Sequence, residues 1–290
     1  MQFSIKLLFK RILPPRLRYQ LKRFKRKLLQ IKHNSCVSTI EELENILRNN
    51  LHIQAGDKLF ITSSFGNLNA KFSPKELIEL LQDIITEKGV IMMPYYPPMN
   101  SEEWARKGLV FNMNKTKSGM GILTNVFSQM PNVYMSTHPT KAVCIWGKDA
   151  EALIVGHDNS TTPFYWDSPY GKFLKLKCKT LGFGVTNNPM FHTIEDVVLS
   201  TPTNYYLSQV YELSVITKEN TTITVNTLVH DPNIIDKCVS SEEYIRNLSC
   251  TSYNKQRLGP SYVYMIDNNE VYEKVQLMMK AGNIKLRQYK

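Results

Sequence analysis

The spacing of apolar positions changes along the chain, and the spacing predicts which segments are helices and which are strands. Residues 38–50, "STIEELENILRNN", and 73–89, "SPKELIELLQDIITEKG", carry apolar residues three and four positions apart, which predicts two helices. The second has Ser73 as a cap, Pro74 in its first turn and Gly89 past its end. The short apolar runs "KLFITSS" and "VIMMP" flank that helix and predict buried strands. Strand, helix and strand in this order indicate a βαβ unit with parallel strands.

The same alternation of helices and strands continues towards the C-terminus. A loop of about twenty residues is expected after Pro94, since "YYPPMNSEEWARKGLVFNMNKTKS" shows no clear period. Further helices are predicted in "GMGILTNVFSQMP", "KDAEALIVGH" and "SPYGKFLKLK", and strands in "AVCIWG" and "TLGFGV". From Thr203 a longer alternation predicts an antiparallel hairpin that turns at Glu219 and Asn220, and the chain ends in a strand and a closing helix. Without an internal repeat or a linker, these elements predict one α/β domain with a mixed sheet over residues 37–290.

Residues 1–36 differ from this body and predict a basic amphipathic arm. Eleven of the 36 lysines and arginines lie in residues 1–33, which contain no Asp or Glu. One helical stripe of this segment is apolar: Leu17, Leu21, Phe24, Leu28 and Ile31. Such a helix favours the surface of an anionic membrane, where basic residues are attracted and the stripe is buried at the headgroups. Docking on a partner or on the chain's own body, an organelle presequence and a nucleic-acid contact are alternatives for this arm.

The charge of the remaining chain is balanced, which argues against a nucleic-acid-binding body. The net charge of +11 belongs to the arm, because the other lysines and arginines equal the acidic residues in number. The five cysteines show no paired spacing, so neither a disulfide framework nor a metal site is expected, and a cytoplasmic location fits best. Cys144, in "AVCIWG", is expected in the core. Since no apolar run is long enough to span a bilayer, we expect a soluble protein or one that binds the inner face of the membrane peripherally.

A histidine and a carboxylate stand three residues apart after a turn-rich stretch, in "LGFGVTNNPMFHTIEDVV". This spacing places His192 and Glu195 on one face of a helix. A turn from a strand to a helix is where open α/β sheets commonly bind ligands. A histidine there can accept a proton from an attacking amine while the carboxylate orients it. The alternative from spacing alone is an ordinary surface pair.

Other polar positions are weaker candidates. His138 precedes a proline at a strand end, where it would either face a ligand or hold a loop. Thr62, Ser63 and Ser64 end a predicted strand, and their hydroxyls could bind the amide or phosphate groups of a cofactor or form a polar turn. Cys178, between two lysines, lacks a nearby histidine and is a poor candidate nucleophile. No dinucleotide fingerprint, P-loop, GxSxG or HExxH motif occurs.

Seven segments together resemble the aminoglycoside 3-N-acetyltransferase family in order and spacing over about residues 40–285. They are "GDKLFITSSFGNL", "GVIMMP", "SGMGILTNVF", "STHPTKAV", "GKDAEALIVGH", "SPYGKFL" and "LGFGVTNNPMFHTIEDV". The resemblance implies a three-layer α/β/α fold and direct transfer of an acetyl group from acetyl-CoA, without a metal, to an amino group. It also implies a catalytic role for His192 with Glu195, and cofactor contacts at the matching positions Ser63, Ser64, Met120, Gly121, His138 and Ser168. Thr62, which precedes the two serines, is expected to contact the cofactor with them.

Several positions depart from the family pattern, and most of them concern the acceptor. Thr62 replaces a usual histidine, Pro189 a usual threonine, and "HPTKA" contains Lys141 and Ala142 in place of a histidine and a serine. Asn112 stands where an acid is frequent. Polycationic antibiotics need carboxylates around them, so these changes disfavour a drug as the natural acceptor.

The sequence therefore predicts an acetyl-CoA-dependent N-acetyltransferase with His192 as general base, Glu195 orienting it, and the end of the first strand stabilising the oxyanion. The expected acceptor is a nucleotide- or lipid-linked amino sugar used in bacterial surface-polysaccharide synthesis. An aminoglycoside-modifying enzyme, a catalytically silent homologue that binds CoA or a sugar, and an O-acetyltransferase are the alternatives.

Overall fold

The computed structural model describes residues 37–160, 162–198 and 205–282. The predicted arm and its amphipathic helix lie outside the described residues. None of the helices that are described is long and apolar enough to cross a bilayer.

The strands of the described chain form two sheets. The strands are β1 (Lys58–Ser63), β2 (Val90–Tyr95), β3 (Phe111–Asn112), β4 (Tyr134–Met135), β5 (Ala142–Gly147), β6 (Lys179–Phe183), β7 (Tyr211–Ile216), β8 (Thr222–Thr227), β9 (Asn254–Leu258) and β10 (Ser261–Asp267). The central sheet has seven strands in the order β4-β5-β2-β1-β6-β10-β9, and the second sheet has three in the order β3-β7-β8.

The helices, as described, alternate with these strands. They are α1 (Ile40–Asn45), α2 (Pro74–Ile85), α3 (Ser101–Arg106), α4 (Ile122–Phe127), α5 (Ala150–Ile154), α6 (Pro169–Lys175), α7 (Met190–Val198), α8 (Pro232–Ile235), α9 (Ser241–Asn247) and α10 (Asn268–Lys280). A π-type turn over Ile46–Asn50 continues α1. The expected start of α2 is confirmed: Ser73 and Glu76 form a capping box, and Pro74 occupies the first turn, where its missing N–H costs nothing.

The central sheet is mixed, as expected from the sequence. β1 lies parallel to β2 and to β6, which confirms the βαβ unit β1-α2-β2. The outer strands run antiparallel to their neighbours: β5 pairs with β2, β4 with β5, β10 with β6 and β9 with β10. Because β1 and β6 are parallel neighbours, the turn after each strand lies at the same edge of the sheet.

Helices cover both faces of this sheet, which gives the three-layer α/β/α arrangement that the resemblance implied. Successive residues of β1 point to opposite faces. Leu59 and Ile61 belong to the core that contains Leu77 of α2, while Phe60 belongs to the core that contains Phe191 of α7. Helix α7 is thus anchored by burial of its apolar side against the sheet.

The structure corrects two expectations about the second half of the fold. The expected long loop after Pro94 contains α3 and β3, and β3 pairs in parallel with β7. The hairpin β7-β8 turns near Asn220 as predicted, but it forms the second sheet and does not join the central one. Phe111 holds β3 beside β7: its fully buried ring contacts Tyr95 of β2 and packs in the same core as Val215 of β7.

Candidate active site

Helix α7 begins immediately after the turn that follows β6, and a buried polar network fixes its start. The side-chain oxygen of Asn188 accepts a hydrogen bond from the N–H of Met190 (3.2 Å), as a cap does. The N–H of Asn188 donates to the hydroxyl of Ser241 (2.8 Å), and its amide donates to the side chain of Asn268 (3.2 Å). The network therefore determines where the first turn of α7 lies relative to α9 and α10.

The carbonyl oxygen of Asn187 ties this turn to the sheet on both sides. It accepts hydrogen bonds from the hydroxyl of Thr62 at the end of β1 (3.2 Å) and from that of Tyr264 in β10 (3.0 Å). The ring of Tyr264 lies directly over Gly182, where an added Cβ would be 2.0 Å from a ring carbon. Gly182 thus leaves the space for the tyrosine that anchors the turn.

His192 and Glu195 form the pair that the spacing predicted. Nδ1 of His192 lies 3.0 Å from Oε2 of Glu195. The carboxylate is 1% exposed, whereas the histidine side chain is 18% exposed. A carboxylate only accepts hydrogen bonds, so it holds the proton on Nδ1 and makes Nε2 the basic nitrogen of the neutral ring. The arrangement can accept a proton from a bound molecule and stabilise the resulting imidazolium.

A second histidine, which sequence reasoning missed, lies against the first. The ring centroids of His192 and His230 are 4.4 Å apart. Phe164 contacts both rings, at 5.3 Å from His192 and stacked at 5.5 Å on His230. His230 lies past the end of β8, and its backbone bridges to Tyr206. The one sequence signal is a histidine before an Asp-Pro turn, which is too common to identify a site.

Both histidines line a cleft of about 410 Å³, within the usual size range of small-molecule sites. The walls are made by Tyr96, Pro97, Pro98, Met99, Asn100, Ser101, Gly119, Met120, Lys141, His192, His230, Pro232, Ile235 and Asp236. The side chain of His192 therefore faces a cavity. Among the described wall residues, the charged ones apart from the histidines are Lys141 and Asp236.

Asp196, next to the pair, is a buried acid that sequence reasoning also missed. It is fully buried, and one of its oxygens accepts hydrogen bonds from the hydroxyls of Thr162 and of Tyr206, the latter at 2.6 Å. Burial, helped by the negative charge of Glu195, raises the pKa of Asp196 to about 8, against the hydrogen bonds from Thr162 and Tyr206, which lower it. At neutral pH Asp196 is therefore mostly protonated, and α7 carries two adjacent acids in different states.

The predicted cofactor residues lie in different environments. Met120 lines the cleft with His192, and Gly121 follows it at the start of α4. The cleft walls that the structure describes include none of Thr62, Ser63 and Ser64, although β1 is the neighbour of β6. The hydroxyl of Thr62 holds the carbonyl of Asn187, as described above.

His138 and Ser168 are fully buried and hold loops. Nδ1 of His138 accepts from the N–H groups of Thr140 and Lys141, and its Nε2 lies 3.1 Å from the hydroxyl of Thr227. The hydroxyl of Ser168 caps α6 by accepting from the N–H of Gly171 (3.2 Å). These partners support the loop-holding alternative for His138, and neither side chain is among the described walls of the cleft.

Two other chemistries find no support in the described residues. Cys178 is fully buried, and burial raises its pKa to about 12, so it is not a thiolate at neutral pH. No group of three or more His, Cys, Asp or Glu side chains that could hold a metal occurs in the described part of the chain.

Three comparisons relate the sequence and the fold of this chain to known proteins. A stretch of 98 residues is 31% identical to the SPbeta prophage-derived aminoglycoside N(3')-acetyltransferase-like protein YokD of Bacillus subtilis, and it covers 28% of this chain and 36% of that protein. The structure of AAC-VIa bound to sisomicin matches with a TM-score of 0.69 at 19% identity, over 85% of this chain and 99% of that one. The binary complex of AAC-IIIb with CoASH matches with a TM-score of 0.63 at 15% identity, over 84% and 97%.

Because the sequence identities of the structural matches are only 19% and 15%, these matches show a shared fold alone. The stretch that matches the curated relative spans only about a third of that relative's length. The family model for aminoglycoside 3-N-acetyltransferase, however, matches residues 60–280, which include α7 and all of the described cleft walls. This match confirms the resemblance seen in the seven segments: the chain belongs to the aminoglycoside 3-N-acetyltransferase family.

Proposed function

We propose that this protein is an acetyl-CoA-dependent N-acetyltransferase that acts on an amino sugar, with His192 as the general base. The observation that carries the proposal is the 3.0 Å contact between His192 and Glu195 on a helix whose histidine opens onto a cleft of about 410 Å³. A buried carboxylate behind a partly exposed imidazole is the arrangement that a positioned proton acceptor needs. The acceptor amine must lose a proton as it forms an amide bond, and Nε2 of His192 accepts that proton.

Glu195 has two tasks in this proposal. It fixes the tautomer in which Nε2 is unprotonated, and it stabilises the imidazolium once the proton has moved. Because Glu195 is buried and Asp196 is mostly protonated, a single negative charge lies behind the histidine. Proton acceptance thus places a positive charge 3.0 Å from the buried carboxylate of Glu195.

Acetyl-CoA is the co-substrate of this family, and when bound it supplies a thioester-activated acetyl group. The residues at the start of α4 fit a narrow chain such as its pantetheine arm. Gly119 and Met120 line the cleft, and Gly121 has φ +107 with no atom within 4 Å of where a Cβ would be. The backbone at Gly121 is therefore open, and Ser63 and Ser64 at the end of β1 are proposed to add donors at the same edge of the sheet.

The acceptor we propose is a nucleotide- or lipid-linked amino sugar from bacterial surface-polysaccharide synthesis. The described cleft walls carry one carboxylate, Asp236, together with Lys141. Such a wall is a poor match for a polycation, which supports this acceptor. The second candidate is an aminoglycoside, which the family's name and the sisomicin complex of a structural relative favour more directly. A catalytically silent homologue is the third.

Thiol release from acetyl-CoA distinguishes these candidates. The purified full chain is assayed with UDP- and dTDP-linked amino sugars and with sisomicin and kanamycin, and products are identified by mass spectrometry and NMR. We expect turnover of at least one linked amino sugar with an amide as the new bond. Turnover of the drugs alone would establish the second candidate, an ester product would show O-acetylation, and no release with any acceptor would leave the silent homologue.

We also propose that residues 1–33 bind an anionic membrane surface, on the basis of their charge and apolar stripe. The full chain should sediment with phosphatidylglycerol-containing vesicles and not with neutral ones. A chain that begins at residue 37 should remain in the supernatant and keep its turnover of a soluble acceptor. Sedimentation of the truncated chain would disprove this role.

A further inference from the structure

Lys141 places a positive charge in the cleft that contains His192. Its side chain is one of the cleft walls, and its Nζ atom lies over the ring of Tyr96, 4.4 Å from the centroid. Tyr96 also lines the cleft, and its hydroxyl contacts that of Tyr170 (2.8 Å). The face of the ring attracts the ammonium and limits where it lies.

The backbone of Lys141 is also held in place on both sides. Its N–H donates to Nδ1 of His138 (3.0 Å), and its carbonyl oxygen lies 3.3 Å from the hydroxyl of Tyr170. His138 and Tyr170 are fully buried. The lysine therefore extends from a rigid base, and the ammonium reaches the cleft in a defined position.

No carboxylate neutralises this ammonium in the part of the chain that the structure describes. The ion pairs there involve other lysines and arginines. Burial lowers the pKa of Lys141 to about 8, and no acid opposes that shift. Removing an ammonium from water without a counter-charge costs free energy. A ligand with a negative group would supply the missing counter-charge.

We infer that Lys141 forms an anion-binding subsite for a phosphate or carboxylate group on the acceptor, and that it is a specificity-determining residue of the cleft. The inference rests on the proposed function, because it assigns the anion to the molecule whose amine faces His192. A flexible ammonium stem with three donors suits a phosphate oxygen. Asp236 on the same cleft wall carries the opposite charge, so the cleft can orient an acceptor that has both an amine and an anionic group.

The phosphates of acetyl-CoA are the other source of the same chemistry, and a role on the reacting acetyl group is a further reading of Lys141. The three assignments differ in what a neutral variant changes. An acceptor subsite affects the binding of anionic acceptors alone. A contact with the donor affects the binding of CoA, and a role in the chemical step lowers kcat for every acceptor.

The test measures binding by calorimetry, so it does not depend on turnover. Glucosamine is compared with glucosamine 1-phosphate and glucosamine 6-phosphate. UDP-linked glucosamine extends the phosphate series, and free galacturonic acid tests a carboxylate. The wild type should bind at least one phosphorylated sugar about 10-fold to 100-fold more tightly than glucosamine, as expected for a charge-assisted hydrogen bond. Lys141→Met should abolish that preference, and Lys141→Arg should restore part of it. Binding of CoA should change by less than about threefold in both variants.

Two control variants isolate the charge. Lys88→Met removes an exposed lysine beyond the end of α2, outside the cleft walls, and should preserve the preference. Asp236→Asn removes the opposite charge and should increase it. Lys→Met keeps the apolar stem, and thermal unfolding shows that each variant is folded.

Any of three results would overturn the inference: no preference for phosphorylated sugars in the wild type, a preference that survives Lys141→Met, or a loss of binding in that variant that is confined to CoA. Failure of the proposed function is a separate result, because it is read as absent thiol release. A protein that releases thiol but shows no anion preference would retain the function and lose this subsite.

Discussion

The described part of the chain contains two pairs of closely packed histidines, and their environments are opposite. The rings of His138 and His157 are 4.5 Å apart, and those of His192 and His230 are 4.4 Å apart. The first pair is fully buried. The second pair lines the cleft. The distance between two imidazoles is therefore uninformative about their role.

The partners of the ring nitrogens separate the two pairs. Nε2 of His157 donates to the carbonyl of Pro163 (3.1 Å), and its Nδ1 accepts from the hydroxyl of Ser136 (2.8 Å). Burial lowers the pKa of His157 to about 3 and that of His138 well below its usual range. Both rings are thus neutral linkers between loops. In His192, by contrast, a carboxylate holds one nitrogen while the side chain reaches the cleft.

The largest expected effect is that of His192→Ala on turnover. Loss of a general base should lower kcat by about 10²- to 10⁴-fold, and thermal stability should fall as well, because the mostly buried ring packs on Phe164 and contacts the buried carboxylate of Glu195. Steady-state kinetics on an acceptor from the screen, together with a melting curve, measure both. A loss below about tenfold would remove His192 from this role.

His157→Ala should show a different pattern. It removes two buried hydrogen bonds and a packed ring, so we expect the free energy of unfolding to fall by about 2–4 kcal/mol. Denaturant unfolding measures the loss, and kcat per folded molecule should stay within about threefold of the wild type. A large fall in kcat without a fall in stability would mean that the buried pair takes part in the reaction.

Glu195→Gln tests the carboxylate behind the catalytic candidate. The amide can donate to Nδ1 and so favour the wrong tautomer, and it cannot stabilise the imidazolium, so kcat should fall by about 10-fold to 100-fold. Asp196→Asn is the matched control, since Asp196 is mostly protonated at neutral pH and Asn has a similar shape. Equal losses in the two variants would contradict the assignment of separate states to the two acids.

The smallest expected effect is a pH dependence of the free energy of unfolding, which should come from the buried pair His138 and His157. The unfolded chain takes up protons on His138 and His157 below about pH 6.5, whereas the folded chain resists this until lower pH. Their contribution to stability is therefore complete above pH 6.5 and is lost as the pH falls towards 3, by up to about 1.4 kcal/mol per pH unit for each histidine. Unfolding measured at pH 7, 6 and 5 should show a shallower slope in His157→Asn, and an unchanged slope would contradict this origin.

Local patterns predicted the central part of the fold and the main pair of the site. The capping signals of α2 and the apolar runs beside it depend on neighbours in the sequence, so β1, α2 and β2 were predicted correctly. The spacing of His192 and Glu195 is likewise local, because residues three apart on a helix are always neighbours.

Contacts between distant segments explain what the sequence did not predict. His230 reaches His192 through the path of the chain after β8, which no local period encodes. The edge strand β9, "NKQRL", has a polar exposed face and lacks the apolar run that marks a buried strand. The two residues of β3 are too few to show a period, and their pairing with β7 depends on packing of Phe111.

The neutral state of Asp196 limits the alkaline range in which α7 can work. As the pH rises through about 8, a second full negative charge develops one residue from Glu195, inside a core that has little means to solvate it. The hydrogen bonds that Thr162 and Tyr206 donate favour this ionised form, and the new charge would hold a transferred proton on His192 more firmly. Ionisation of one aspartate outside the described cleft walls would therefore slow release of the proton from His192.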